Sequence, residues 1–173
     1  YYNNISSGTS SLIVLGKLNN SKIYSNNLTA NGGSFAGVIA FTSSNFVPSI
    51  NTEIYRNNII VSSTSASSGI TLGIGSNAPF LKNISVFNNN ISMRNTGSAQ
   101  AGLSCGIQLG TASPYVNNSL VYNNNINSST EKGGICLLGR VFHSVIYNNT
   151  ITTNGIGIYL NGSLNASSFP YNN

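Results

Sequence analysis

Groups able to do acid–base, nucleophilic or metal chemistry are few in this sequence and stand apart from one another. The 173 residues hold two carboxylate side chains, Glu53 and Glu131, no aspartate, one histidine, His143, and two cysteines, Cys105 and Cys136. Glycoside chemistry needs two carboxyl groups about 5–10 Å apart. Glu53 precedes a strand-like segment and Glu131 lies in a loop two or more repeats away, so that pair is hard to build. His143 has neither a second ligand-type side chain nor a nucleophile near it in sequence and reads as a loop or surface histidine. The expectation is a protein that is not an enzyme, with no cofactor and no metal site.

The cysteines fall on adjacent repeats. Counted by strand alternation, Cys105 shares the inward parity of Ile107 while Cys136 points outward. An offset of about three residues along the strands would hold their Cα atoms beyond disulfide reach, and free thiols are expected.

Charge is scarce as well: 5% of residues are charged, against roughly a quarter in an ordinary soluble domain. The cations Lys17, Lys22, Arg56, Lys82, Arg94, Lys132 and Arg140 are scattered, which excludes the clustered stripe that nucleic acid requires. No apolar run approaches the roughly 18 residues of a membrane span, so no membrane insertion is expected. The chain opens on Tyr-Tyr-Asn-Asn with no signal segment, so a secreted protein would have lost its signal or carry it upstream. A surface hydrated by Asn, Ser, Thr and Gly suits an extracellular or cell-surface setting.

The elements that would position any site are internal repeats. IYSNNLT (23–29), IYRNNII (54–60), VFNNNIS (86–92), VYNNNIN (121–127) and IYNNTIT (146–152) align without gaps. The same pattern opens and closes the chain, so that its aromatics, Tyr1, Tyr24, Tyr55, Phe87, Tyr122, Tyr147 and Tyr171, recur every 23 to 35 residues. Between them lies a second motif of period two: LIVLG (12–16), GVIAF (37–41), GITLG (69–73), GIQLG (106–110), GICLL (134–138) and GIYLN (157–161). Stretches 42–52, 61–68 and 92–105 read as loops rich in small residues.

Each unit thus supplies three short strands: one ending at the aromatic, one starting just after the Asn pair, and the Gly-led strand. The reading is all-β, a right-handed single-stranded parallel β-helix of about six rungs, one domain over 1–173 that is a segment of a longer solenoid or a filament subunit. The fourth motif position is Asn throughout, at Asn3, Asn26, Asn57, Asn89, Asn124, Asn149 and Asn173. Asn tolerates left-handed backbone at a tight bend, and stacked amides can bond from rung to rung about 4.8 Å apart. An asparagine ladder is expected at this corner, with the ladder residue itself left-handed.

Inward columns are assigned to Ile23, Ile54, Val86, Val121 and Ile146, and to Ile5, Leu28, Ile59, Ile91, Ile126 and Ile151. The Gly-led strands add Ile13 and Leu15, Val38 and Ala40, Ile70 and Leu72, Ile107 and Leu109, Ile135 and Leu137, then Ile158 and Leu160. At about 0.8 kcal/mol per buried methylene these columns should dominate stability.

The aromatics should face outward as one strip, which either stacks on itself or serves as an interaction face for a subunit or for sugar rings. Ten Asn-x-Ser/Thr sequons start at Asn4, Asn19, Asn27, Asn83, Asn90, Asn117, Asn127, Asn148, Asn161 and Asn165; those of Asn4, Asn27 and Asn90 follow from the turn motif, and Asn19, Asn83, Asn117, Asn161 and Asn165 lie between strands where a glycan could project. The outward column Val14, Ile39, Thr71, Gln108, Cys136 and Tyr159 lacks the Thr-x-Thr rows of an ice-binding face.

The repeats resemble those of the pectin-lyase-like superfamily of right-handed parallel β-helices, over essentially the whole chain. Lyases and hydrolases of that superfamily use clustered acidic residues, so the resemblance implies a non-catalytic member here. The leading expectation is a structural or adhesive module of a cell-surface protein or filament, self-associating head to tail or laterally because its two ends share one phase of the motif. The alternatives are a carbohydrate-binding module or inactive relative of the polysaccharide-degrading enzymes, and an enzyme whose acidic residues lie outside this chain.

Overall fold

The computed structural model describes residues 3–8, 13–15, 18–32, 36–42, 49–64, 67–74, 81–95, 104–110, 115–130 and 132–161. Among them the regular structure is β-strand, arranged in three sheets in which every pairing is parallel. The first sheet holds Asn4–Ser7, Asn27–Gly32, Asn58–Ser63, Asn90–Asn95, Asn125–Ser128 and Thr150–Thr153. The second holds Ile13–Leu15, Ala36–Thr42, Ser67–Ile74, Cys105–Leu109, Ile135–Leu138 and Ile158–Asn161. The third holds Lys22–Tyr24, Ser49–Tyr55, Leu81–Phe87, Leu120–Tyr122 and Val145–Tyr147, with Tyr115–Asn117 and Arg140–Phe142 extending it beside Leu81–Phe87. The chain visits the sheets in a constant cyclic order, so each repeat lays one strand beside the equivalent strand of the last. The strands reach into all three stretches expected as loops: Ser49–Tyr55 into 42–52, Asn58–Ser63 and Ser67–Ile74 into 61–68, and Asn90–Asn95 into 92–105.

One hydrophobic core is shared by the three sheets. Leu28, Ile59, Ile91 and Ile126 of the first, Ile70, Leu72, Ile107, Leu109 and Ile135 of the second, and Ile54, Val86, Val121 and Ile146 of the third are buried together. Ile5, Ile23, Ile151 and Ile158 pack against this cluster while partly exposed. β-Branched side chains suit the arrangement, because each packs on its neighbour in the next strand.

Two inward assignments are corrected. In the register Ile39 pairs with Ile70 and Phe41 with Leu72, so Ile39 and Phe41, and not Val38 and Ala40, stand beside the inward positions of the next strand. Gly37 pairs with Ser68, one residue short of Gly69, so matching the motifs on their glycines shifts this strand by one. Leu160 pairs with Leu137 yet is 41% exposed, on the outermost strand described in its sheet.

Non-glycine residues take left-handed backbone at two turns of the repeat. At the first, the left-handed residue precedes the ladder asparagine: Ser25 (φ 56°), Arg56 (55°), Asn88 (54°), Asn123 (54°) and Asn148 (52°). That corrects the expectation for the ladder residue, whose amide is committed to bonding along the stack. At the second, Asn20, Asn51, Asn83, Asn118 and His143 are left-handed, each four residues before an aromatic.

Glycine is required where the second sheet meets the first. A Cβ on Gly106 would lie 2.5 Å from Ile126 Cγ2. Gly106→Ala is therefore expected to destabilise by about 1–3 kcal/mol, read as a lower denaturation midpoint, whereas a change within error would show that the core gives way freely there.

Candidate functional site

The third sheet ends in the aromatic strip. Registers place Tyr24, Tyr55, Phe87, Tyr122 and Tyr147 side by side on consecutive strands. Ring centroids are 5.1, 4.8, 4.9 and 5.0 Å apart down this column, and successive planes differ by 2° to 6°. The rings therefore lie face on face, and it is their edges that meet solvent. A sugar packs on an aromatic face, and within the column each inner ring already has a ring on both faces. Tyr1 and Tyr171 lie outside the described residues.

What fixes the rings is the amide ladder two residues on. Nδ2 of each asparagine donates to Oδ1 of the next, from Asn3 through Asn26, Asn57, Asn89 and Asn124 to Asn149, at 2.9 to 3.0 Å. Each Nδ2 from Asn26 onward also donates to the carbonyl of its own repeat's aromatic: Tyr24, Tyr55, Phe87, Tyr122 and Tyr147. In return Oδ1 accepts the backbone N–H of the preceding ladder residue, as Asn89 does from Asn57 at 3.1 Å. Asn57, Asn89 and Asn124 are each 1% exposed, so these bonds are made away from water. Asn173 lies outside the described residues.

A second, exposed ladder runs beside the first, unforeseen in the sequence. Asn27 Nδ2 donates to Asn4 Oδ1, Asn90 Nδ2 to Asn58 Oδ1 and Asn125 Nδ2 to Asn90 Oδ1, all at 2.9 Å. A third joins Asn51 to Asn20 and Asn83 to Asn51 at 3.0 Å, on the left-handed corner. The signal for both is Asn recurring at one distance from each aromatic from Tyr24 through Tyr122.

The remaining titratable groups do not converge. Glu53 Oε2 pairs with Lys22 Nζ at 3.0 Å on the outer face of the third sheet, and that hydrogen bond holds the lysine above its ordinary range. Glu131 lies outside the described residues. His143 is exposed, its Nδ1 3.2 Å from Asn117 Oδ1. Among the described residues no three His, Cys, Asp or Glu side chains gather as a metal site would require.

Burial raises the Tyr122 phenol above its ordinary 10.0, with Tyr147 and Glu53 adding to the effect. The folded state thus favours the neutral phenol. Its contribution to stability is complete below the unfolded value and is lost as pH climbs through the raised one. Subtracting the phenolate absorbance titration of Tyr122→Phe from that of the parent should leave a step centred above 10.0; a step at or below that value would contradict the packing.

The cysteines overturn the free-thiol expectation. Cys105 and Cys136 form a disulfide with Cα atoms 6.0 Å apart, both fully buried beside Leu138, with Tyr159 packed against them. Alternation fails at Gly106: its missing Cβ would face Ile126, and Ile107 beside it is fully buried too. With two successive residues inward, Cys105 falls on the outer side with Cys136. That outer side of the second sheet is itself covered, since Thr71, Gln108 and Cys136 are all buried.

Of the sequon asparagines, Asn19 and Asn83 are exposed and Asn117 is half-buried, while Asn165 and the side chain of Asn161 lie outside what is described. Comparison with protein-family models, with curated proteins and with solved structures finds no match.

Proposed function

We propose that the three sheets are the faces of one right-handed parallel β-helix, and that this chain is a structural or adhesive module of an extracellular or cell-surface protein or filament. One observation carries the reading: the repeated side-chain contacts among the described residues join one repeat to the next. The amide ladders, the ring stack and the Cys105–Cys136 bridge all run along the direction in which repeats accumulate. A shared core beneath three parallel sheets supports the coil. Load applied along such a rod is spread over parallel sets of identical bonds, the property a stalk or filament needs.

A buried disulfide persists in oxidising compartments and supports placement outside the cytosol. Glu53 is held in an ion pair with Lys22, which supports a non-enzymatic role. The partner in this reading is another copy, meeting head to tail or laterally, with no nucleic acid and no inserted membrane segment. The carbohydrate-binding alternative has less support, because the stacked rings offer edges and not faces.

Particle images of the purified protein at increasing concentration test this. Rods that lengthen with concentration are expected. A protein that stays a short monomer, and that binds an oligosaccharide in a glycan array with Tyr55 and Tyr122 required, would replace the structural reading with the carbohydrate-binding one.

A further inference from the structure

The sequons divide sharply by what the acceptor amide is doing. Asn27, Asn83 and Asn90 each donate Nδ2 to a neighbouring asparagine within an exposed ladder. Asn19, Asn127 and Asn148 are exposed, and their carboxamides make no hydrogen bond among the described residues. Asn19 sits beside the isolated pairing with Ile50, Asn127 on the outer face of the first sheet, and Asn148 at the left-handed turn after Tyr147. The sequon hydroxyls of the last two belong to Ser129 and Thr150, both exposed.

We propose that Asn19, Asn127 and Asn148 are N-glycan acceptors of the folded protein, and that the ladder sequons Asn27, Asn83 and Asn90 are closed to glycan. The donor is a lipid-pyrophosphate-linked oligosaccharide. Nδ2 forms a bond to C1 of its reducing-end sugar, the C1–O bond breaks, the lipid pyrophosphate leaves with that electron pair, and Nδ2 gives up a proton. At Asn19, Asn127 and Asn148 the sugar enters solvent and displaces no hydrogen bond. At a ladder position it takes one of two donors and occupies the space of the next amide, only about 4.8 Å along the sheet. Transfer takes place before folding, so chains modified on a ladder amide fail to close the ladder and drop out of the secreted pool. Sugar at the three open sites also hydrates the surface of a chain in which 5% of residues are charged.

The assignment rests on the extracellular part of the proposed function. Its test is expression of this chain behind a secretion signal in a eukaryotic host, with glycopeptide mapping of the protease-resistant protein from medium and cells. The expected result is sugar at Asn19, Asn127 and Asn148 and bare Asn27, Asn83 and Asn90. Asn51→Gly keeps the left-handed turn but removes the acceptor of Asn83 Nδ2, and Asn83 should then gain sugar. Comparable occupancy at Asn83 or Asn90 in the parent protein, bare open sites, or an Asn83 that stays bare in Asn51→Gly would each overturn the assignment. Thiol counting on the same sample separates the two ideas. Bare sequons with an intact disulfide count against the glycan sites alone, whereas free thiols in folded protein count against the extracellular reading.

Discussion

Replacing Asn89 by alanine is expected to lower folding stability by about 3 kcal/mol or more. The carboxamide accepts from Asn57 Nδ2 and the Asn57 backbone N–H, and donates to the carbonyls of Ile54 and Phe87 and to Asn124 Oδ1. Removing it strands partners on both sides in a region closed to water, and a buried polar group without a partner costs about 1–3 kcal/mol. Asn89→Asp tests the same point differently, because a carboxylate accepts but cannot donate to Ile54, Phe87 or Asn124. Asn3, exposed at one end of the ladder, donates to Asn26; Asn3→Ala should cost well under half as much. Equal midpoints in chemical denaturation for the two alanine variants would mean that the ladder follows from the fold and does not hold it.

Opening the disulfide should cost nearly as much. The bridge joins residues 31 apart in sequence, and closing a loop of that length restricts the unfolded chain by an amount worth about 3–4 kcal/mol. Cys105→Ala with Cys136→Ala should show this loss, and reductant should shift the parent midpoint by a similar amount while leaving the double variant unmoved. A parent indifferent to reductant would indicate that the thiols are unpaired in solution. Because the bridge pins the outer side of the second sheet and lies far from the ladder, its loss should add to that of Asn3→Ala without coupling.

Much of this architecture was legible in the sequence because stacking demands sameness. An amide ladder works only if every repeat offers the same side chain at the same phase, so Asn26, Asn57, Asn89, Asn124 and Asn149 declare themselves. The aromatic column is legible for the same reason, although the choice between self-stacking and an open sugar platform required ring orientation. The cysteine miss has a plain cause: counting by two assumes unbroken alternation. Gly106 breaks it and brings Cys105 to Cys136. Gly37 looks equivalent to Gly69 but pairs with Ser68, and the register sets Ile39 beside Ile70 and Phe41 beside Leu72. The left-handed corner at Asn20, Asn51, Asn83, Asn118 and His143 was within reach, four residues before each aromatic. His143 hid it, since a histidine there does not look like the four asparagines.

The account stands on repeats that wind in parallel and stack their amides in order, and side-chain amide contacts seen by nuclear Overhauser spectroscopy test it most directly. The predicted result is a chain of contacts linking the carboxamides of Asn26, Asn57, Asn89, Asn124 and Asn149 in sequence, matched by ring-to-ring contacts from Tyr55 through Phe87 to Tyr122. Short Hα–Hα contacts between neighbouring strands, the mark of antiparallel hairpins whose opposed Cα atoms approach to about 4.5 Å, together with no contact between the Asn57 and Asn89 amides, would contradict it.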